Sequence, residues 1–272
     1  MDLPTVTEIS RPASRMDIQP RRPGDAWLAG GTWLFSEPQP ELTRLIDLTA
    51  LGWPALEIGA HDLRIGATCT LATLAAAEFP PAWLAAPLFR QCCNALLGSF
   101  KVWNAATVGG NLCMALPAGP MAALTTALDG ICEIWTPDGT TRTLPAPAFI
   151  TGPNRNALHQ GEILRAITLP VSALHHRTTF RQISLTPLGR SAALLVGTHA
   201  PTGACALTIT ASTRRPVRLD FATIPADREL RDRLAATIPD ADYYDDLHGA
   251  PDWRRHMTLR LAEEIRQALS IP

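Results

Sequence analysis

Over the first sixty positions of this 272-residue chain, apolar residues fall into short runs separated by turn residues. AWLAGGTWLF and LTRLIDLTAL both read as short strands closed by turns. LRIGATCTLATLAAA predicts a strand over residues 63–67 that enters a helix N-capped by Thr70. AWLAAPLFRQCCNALLGS predicts a helix stopped at Gly98, and MAALTTALDG predicts another. ICEIWTPDGTTRTLP alternates around Pro-Asp-Gly and predicts a hairpin, and GEILRAITLP predicts a strand that Pro170 stops. Composition shifts across VSALHHRT, residues 171–178, which marks a boundary near 172. Beyond it, SAALLVGTHAPTGACALTITAS predicts two alternating strands around Pro-Thr-Gly. DWRRHMTLRLAEEIRQALS predicts an amphipathic helix with Met257, Leu261, Ile265 and Leu269 facing a core. The pattern is α+β in two parts, residues 1–172 and 173–272.

Composition removes several functions. With 46% hydrophobic and 18% charged residues the chain reads as globular, and a net charge of -1 gives no electrostatic case for nucleic acid or an anionic membrane. The six cysteines (Cys69, Cys92, Cys93, Cys113, Cys132, Cys205) form no CxxC pair and no zinc or cluster spacing, so free, mostly buried thiols and no metal site are expected. The N-terminal stretch lacks an apolar h-region, Arg21-Arg22 is followed by Pro-Gly-Asp, and no run of about 18 apolar residues occurs, so the expected compartment is the cytoplasm. His175-His176 is expected to be solvated, and Asp245-Asp246 with the arginines of residues 252–266 to form a helix cap and a solvated helix face.

The chemistry points to two glycine loops, AGGT at residues 29–32 and TVGGN at residues 107–111. Adjacent glycines allow positive φ and remove β-carbons that would hold a ligand off the main chain; the amide groups can then form a nest for phosphate oxygens. Thr32, Thr107 and Asn111 could add side-chain donors. Each loop taken singly is usually no more than a turn, and it is the pair in context that points to a phosphate site. No G-x-G-x-x-G or P-loop is present, and no nucleophile elbow, paired-carboxylate motif or H-E-x-x-H appears, so no catalytic residue is assigned.

The order of these motifs resembles the FAD-binding, medium subunit of molybdenum hydroxylases, the family of xanthine dehydrogenase, carbon monoxide dehydrogenase and bacterial aldehyde dehydrogenases. The resemblance is carried collinearly by LAGGTWL, LIDLTAL, LRIGATCTLATL, VWNAATVGGNL, PDGTTRTLPAPAFITGPNRNALHQGEILRAITLP and the C-terminal helix. It implies a flavin domain of two α+β subdomains, of the PCMH or vanillyl-alcohol-oxidase type, and a small C-terminal α+β domain with a three-stranded antiparallel sheet. It implies that Ala29, Gly30, Gly31 and Thr32, with Thr107, Val108, Gly109, Gly110 and Asn111, hold the FAD pyrophosphate. Trp33 follows the first loop; Ile65, Gly66, Ala67 and Thr68 would lie near the flavin, and Ile163 and Leu164 by the isoalloxazine. The sequence departs from the family pattern at Trp33, Trp103, Gly119 and Asn154; the resemblance implies adenosine-side packing for the first two and the ribityl or isoalloxazine side for the others. His159 falls near the same edge.

The resemblance further implies an electron-transfer subunit. Substrate would be hydroxylated at a molybdopterin centre on a large partner subunit, and electrons would cross two [2Fe–2S] clusters on a small subunit to FAD here, then to an acceptor. The partners expected are therefore that large subunit and that small subunit, in a heterotrimer. Two other readings stay open: a flavin-free scaffold subunit of the same complex, and a stand-alone flavin oxidoreductase.

Overall fold

The computed structural model describes residues 3–271. Three short strands come first, β1 (Glu8–Ser10), β2 (Asp25–Leu28) and β3 (Arg44–Asp47), and pair in parallel in the order β1-β3-β2. Beneath them Arg44 and Asp25, both buried, share hydrogen bonds of 2.8 and 2.5 Å. The partner guanidinium lowers the Asp25 carboxyl to about 2.

Next comes a hairpin, β4 (Leu56–Ile58) and β5 (Asp62–Gly66), then helices α1 (Leu71–Ala76), α2 (Ala86–Asn94), α3 (Phe100–Ala105), α4 (Val108–Met114) and α5 (Pro120–Ala127). Thr70 caps α1 as expected, accepting from the Thr73 amide. The expected long helix up to Gly98 is shorter: Pro87 takes the first turn of α2, which ends at Asn94, and α3 starts only after Gly98. The hairpin β6 (Ile131–Trp135) and β7 (Thr141–Pro145) follows its Pro-Asp-Gly turn as predicted. A short helix α6 (Ala146–Phe149) and the small pair β8 (Ile150–Gly152) and β9 (Arg155–Asn156) lead to β10 (Ile163–Pro170). β10 is central in an antiparallel sheet of order β4-β5-β10-β6-β7 and bulges between Leu164 and Ala166. The alternation of β5 explains its placement. Leu63 and Ile65 point into a core shared with α1, α2, α4 and α5, while Arg64 turns outward to Glu57 and Glu133.

α7 (Val171–Leu174) fills the segment where composition shifts, and β11 (Arg177–Ile183), β12 (Ala193–His199), β13 (Cys205–Thr210) and β14 (Val217–Phe221) form an antiparallel sheet in chain order. This sheet has four strands, not the three implied by resemblance, because Arg177–Ile183 pairs along its whole length with β12. α8 (Asp227–Thr237) and α9 (Pro251–Leu269) complete the chain. The β12 and β13 strands were expected to alternate, yet nearly all of their residues are buried. Leu194 and Val196 join the first core, which contains α5; Ala193 and Leu195 join a second core with α8 and α9. A strand covered on both faces has no polar side to show.

Two surface expectations are corrected. Arg254 on α9 is fully buried, where it donates to the carbonyls of Gly249, Ala192 and Ala211 and pairs with Asp246. His176 is half-buried with its Nδ1 unpartnered, and desolvation lowers its pKa. The cysteines are free, five of them buried and Cys113 half-buried.

Candidate functional site

Where β2 ends, the chain turns through Ala29, Gly30, Gly31 and Thr32. Gly31 takes φ +68°, the left-handed region that glycine tolerates. The Phe35 amide donates to Gly31 and the Ser36 amide to Trp33, which closes the turn. The N–H groups of Gly30, Gly31, Thr32 and Trp33 donate to no group among the described residues. All four residues line a cavity of about 670 Å³, within the range of ligand sites.

The second loop is built differently. Gly109 and Gly110 are not in a turn but are the second and third residues of α4, with Thr107 as N-cap. Their amides are spent: Val108 donates to Cys69, Gly109 to Ala67, Gly110 to Thr107 Oγ1 and Asn111 to the Thr107 carbonyl. A β-carbon on Gly109 would stand 2.5 Å from that of Ala67, so this glycine exists to let α4 approach the end of β5. Asn111 Oδ1 accepts from the Met121 amide, fixing the side chain, while its Nδ2 makes no bond among the described residues. This wall therefore contributes a close, side-chain-free surface and one amide group, and the first loop contributes the backbone donors.

The third wall comes from the segment before β10. Glu162 is buried and takes both Arg142 Nε and Nη2, at 2.7 and 2.6 Å, and the His159 amide. The guanidinium holds its carboxyl below the usual range. Asn156 donates to the Cys113 carbonyl and accepts from the Leu158 amide, which folds this segment over α4. Since Glu162 is neutralised and supplies the cavity's one lining carboxylate, the donor set is unopposed for an anion; Arg21 and Arg190 add two cations. Burial pushes the Cys113 thiol up to about 12, so this lining residue stays protonated.

Of the residues singled out in the sequence, Ala29, Gly30, Gly31, Thr32, Trp33, Ala67, Thr68, Thr107, Gly109, Gly110, Asn111, Ile163 and Leu164 meet around this one cavity. Ile65 and Val108 do not: they are fully buried in the core behind its wall. Gly66 also lies outside it, where a β-carbon would stand 2.3 Å from the Pro54 carbonyl. Trp103 faces the Leu96 carbonyl, and Asn154 occupies a left-handed turn whose amide donates to Ala115; neither lines the cavity, whereas Gly119 and His159 do. Sequence reasoning missed Arg21, Trp27, Asn156, Glu162 and Arg190 as wall residues. Glu162 lay inside the quoted GEIL motif, and Trp27 two residues before AGGT; Arg190 carries no local signal.

The arrangement can hold an extended, partly apolar, anionic ligand against backbone donors. It presents no nucleophile–base pair, and no group of three potential metal ligands occurs among the described residues.

A family model described as FAD binding domain in molybdopterin dehydrogenase matches residues 13–172. The FAD-binding subunit PaoB of an aldehyde oxidoreductase from Escherichia coli K12 is 29% identical over 215 residues, covering 61% of this chain and 68% of that protein. The carbon monoxide dehydrogenase medium chain of Afipia carboxidovorans is 29% identical over 160 residues, covering 57% of this chain and 54% of its own. Among solved structures, a chain of quinoline 2-oxidoreductase from Pseudomonas putida 86 superposes with a TM-score of 0.77 at 19% identity, covering 98% of this chain and 99% of the other. One of carbon monoxide dehydrogenase from Hydrogenophaga pseudoflava gives 0.78 at 20%, covering 98% of both. At that identity the structures speak for the fold alone.

Proposed function

We propose that this chain, which belongs to the family of FAD-binding domains in molybdopterin dehydrogenases, is the flavoprotein subunit of a molybdenum-containing hydroxylase and hands electrons from [2Fe–2S] clusters on a partner subunit to an external acceptor. The observation that carries the reading is the row of unpartnered amides from Gly30 to Trp33 on an open cavity without a free carboxylate. These amides would take the diphosphate of FAD, the Thr107–Asn111 wall would close against it, and Ile163 and Leu164 would lie by the isoalloxazine. Bound flavin supplies the change between two-electron and one-electron chemistry. The protein's share is to hold the ring, keep water from its buried side with Leu158, Ile163 and Leu164, and fix the segment before β10 through the Glu162–Arg142 pair. The division near residue 172 belongs to the same reading, with residues 173–272 as the C-terminal domain. So do a large molybdopterin-binding partner and a small [2Fe–2S] partner. Among the described residues no helix is long and apolar enough to cross a membrane.

The test is an absorption spectrum of the purified chain, with any released cofactor identified. Oxidised-flavin bands near about 370 and 450 nm and released FAD support the reading. A colourless chain that rejects added FAD, alone and beside its partners, sinks it and leaves the scaffold.

A further inference from the structure

Behind the cavity wall, a cationic side chain is buried without a polar partner. Arg165 sits at the bulge of β10, next to Leu164 of the wall, and is 6% exposed. Its Nη1 finds no hydrogen-bond partner among the described residues. Glu57 and Glu133 act on it, but Arg64 holds both of them, at 3.0 and 2.7 Å. What Arg165 touches is aromatic: its guanidinium lies 4.5 Å from the Trp53 ring centre and 5.7 Å from that of Trp135. The two indoles meet edge to face at 5.3 Å, and Arg15 stacks on Trp135 at 4.7 Å. A guanidinium keeps its proton at neutral pH, and ring faces replace only part of the hydration that burial removes. Arg15, Arg64 and Arg165 thus stand against only two carboxylates, and the most buried of the three cations is the one left unpaired.

This stack begins at the cavity. Trp135 is the cross-strand partner of Ile163, which lines it. Facing pairs stand about 5 Å apart at their β-carbons, so the Arg165 guanidinium is on the order of 10 Å from the Ile163 side chain. We infer that Arg165 is the fixed counter-charge for reduced flavin in this cleft, a residue that raises the flavin's potential without touching it. The inference rests on the proposed function, which puts the isoalloxazine against Ile163 and Leu164. Two electrons from the partner's clusters and one proton from solvent leave one negative charge on the ring, where oxidised flavin carries none. A poorly screened cation about 10 Å away favours that charged form about tenfold and leaves the neutral form almost unaffected.

The full chain loaded with FAD is reduced stepwise beside a reference dye, and the ratio of reduced to oxidised flavin is read at fixed ambient potential. Arg165→Met should lower that ratio about tenfold, or about 30 mV for a two-electron couple, with oxidised FAD bound within about threefold of wild type. Arg165→Lys, which keeps the charge, should hold the ratio within about threefold. The unfolding temperature of Arg165→Met should not fall, since an apolar side chain replaces an unpaired buried charge. Glu133→Gln, at a side chain 23% exposed, should move the ratio the other way, and it decides the matter if Arg165→Met does not fold. An unchanged ratio in the deciding variant overturns the inference and leaves the flavin cleft standing. So does a ratio that falls in Arg165→Met only in step with oxidised-FAD affinity and stability. A wild-type chain that takes up no FAD overturns the proposed function, and this inference with it.

Discussion

A β-carbon on Gly30 would stand 1.7 Å from the carbonyl oxygen of Ala105, so the loop after β2 and the last turn of α3 meet backbone to backbone. Two parts of the cleft wall are thereby joined at a point where no side chain can be accommodated. Gly30→Ala should cost about 3 kcal/mol or more, since the obstruction is main chain and has no rotamer to yield. Gly110→Ala meets only the Thr107 hydroxyl at 2.8 Å and should cost about 1 kcal/mol, the worth of a disturbed cap. Urea unfolding of the two variants checks the order, and equal losses would contradict it.

The Asp25–Arg44 pair makes stability depend on pH. Asp25 is lowered to about 2 in the folded chain by its hydrogen bonds to Arg44, against 3.8 for the free group. A lowered folded pKa means the unfolded state binds the proton first. The contribution is therefore complete above about pH 4 and fades as pH falls towards 2. Asp25→Asn should cost about 3 kcal/mol at pH 7, because buried Arg44 then keeps only the exposed Glu8, at 3.5 Å, as a carboxylate partner. The gap to the wild type, read from urea midpoints, should narrow at pH 3 and below. A gap independent of pH would remove the charge from this account.

Arg254 ties α9 to the four-stranded sheet through three carbonyls and Asp246, from a position 1% exposed. Arg254→Met keeps most of the volume but orphans those acceptors, and should lower stability by about 3–5 kcal/mol. Arg255→Met, whose partner Asp240 is 84% exposed, should cost less than about 1 kcal/mol. Thermal unfolding of both variants gives the contrast.

Glu162→Gln removes the charge that holds Arg142 and leaves one acceptor oxygen where the carboxylate offered two to the guanidinium and the His159 amide. The segment from Asn156 to Ile163 should loosen, lowering stability by about 2 kcal/mol and weakening FAD several-fold. Hydrogen exchange should rise at residues 157–162 and stay unchanged in α9. Protection that does not change would mean the segment is held by packing alone.

Period and punctuation explain what could be read in advance. The Thr70 cap, the Pro-Asp-Gly hairpin, the strand ending at Pro170 and the stripe Met257–Leu261–Ile265–Leu269 each depend on neighbours a few residues away, and each stands as expected. Where a second layer intervened, the local pattern misled. β12 and β13 lost their alternation to a core on either face, and Arg254, polar on the sequence helix wheel, was drawn inside by carbonyls 43 and 62 positions away.

The sequence by itself determined which short segments would be strands, helices and turns, and it placed both glycine loops in the same ordered set of motifs. Only the tertiary structure decided that the two loops do unlike work. Whether an amide is free depends on what else lies within 3 Å of it. At TVGGN that is the returning backbone of Cys69 and Ala67; at AGGT, among the described residues, nothing accepts those hydrogens. Such pairings join positions some forty residues apart, and no local spacing encodes them.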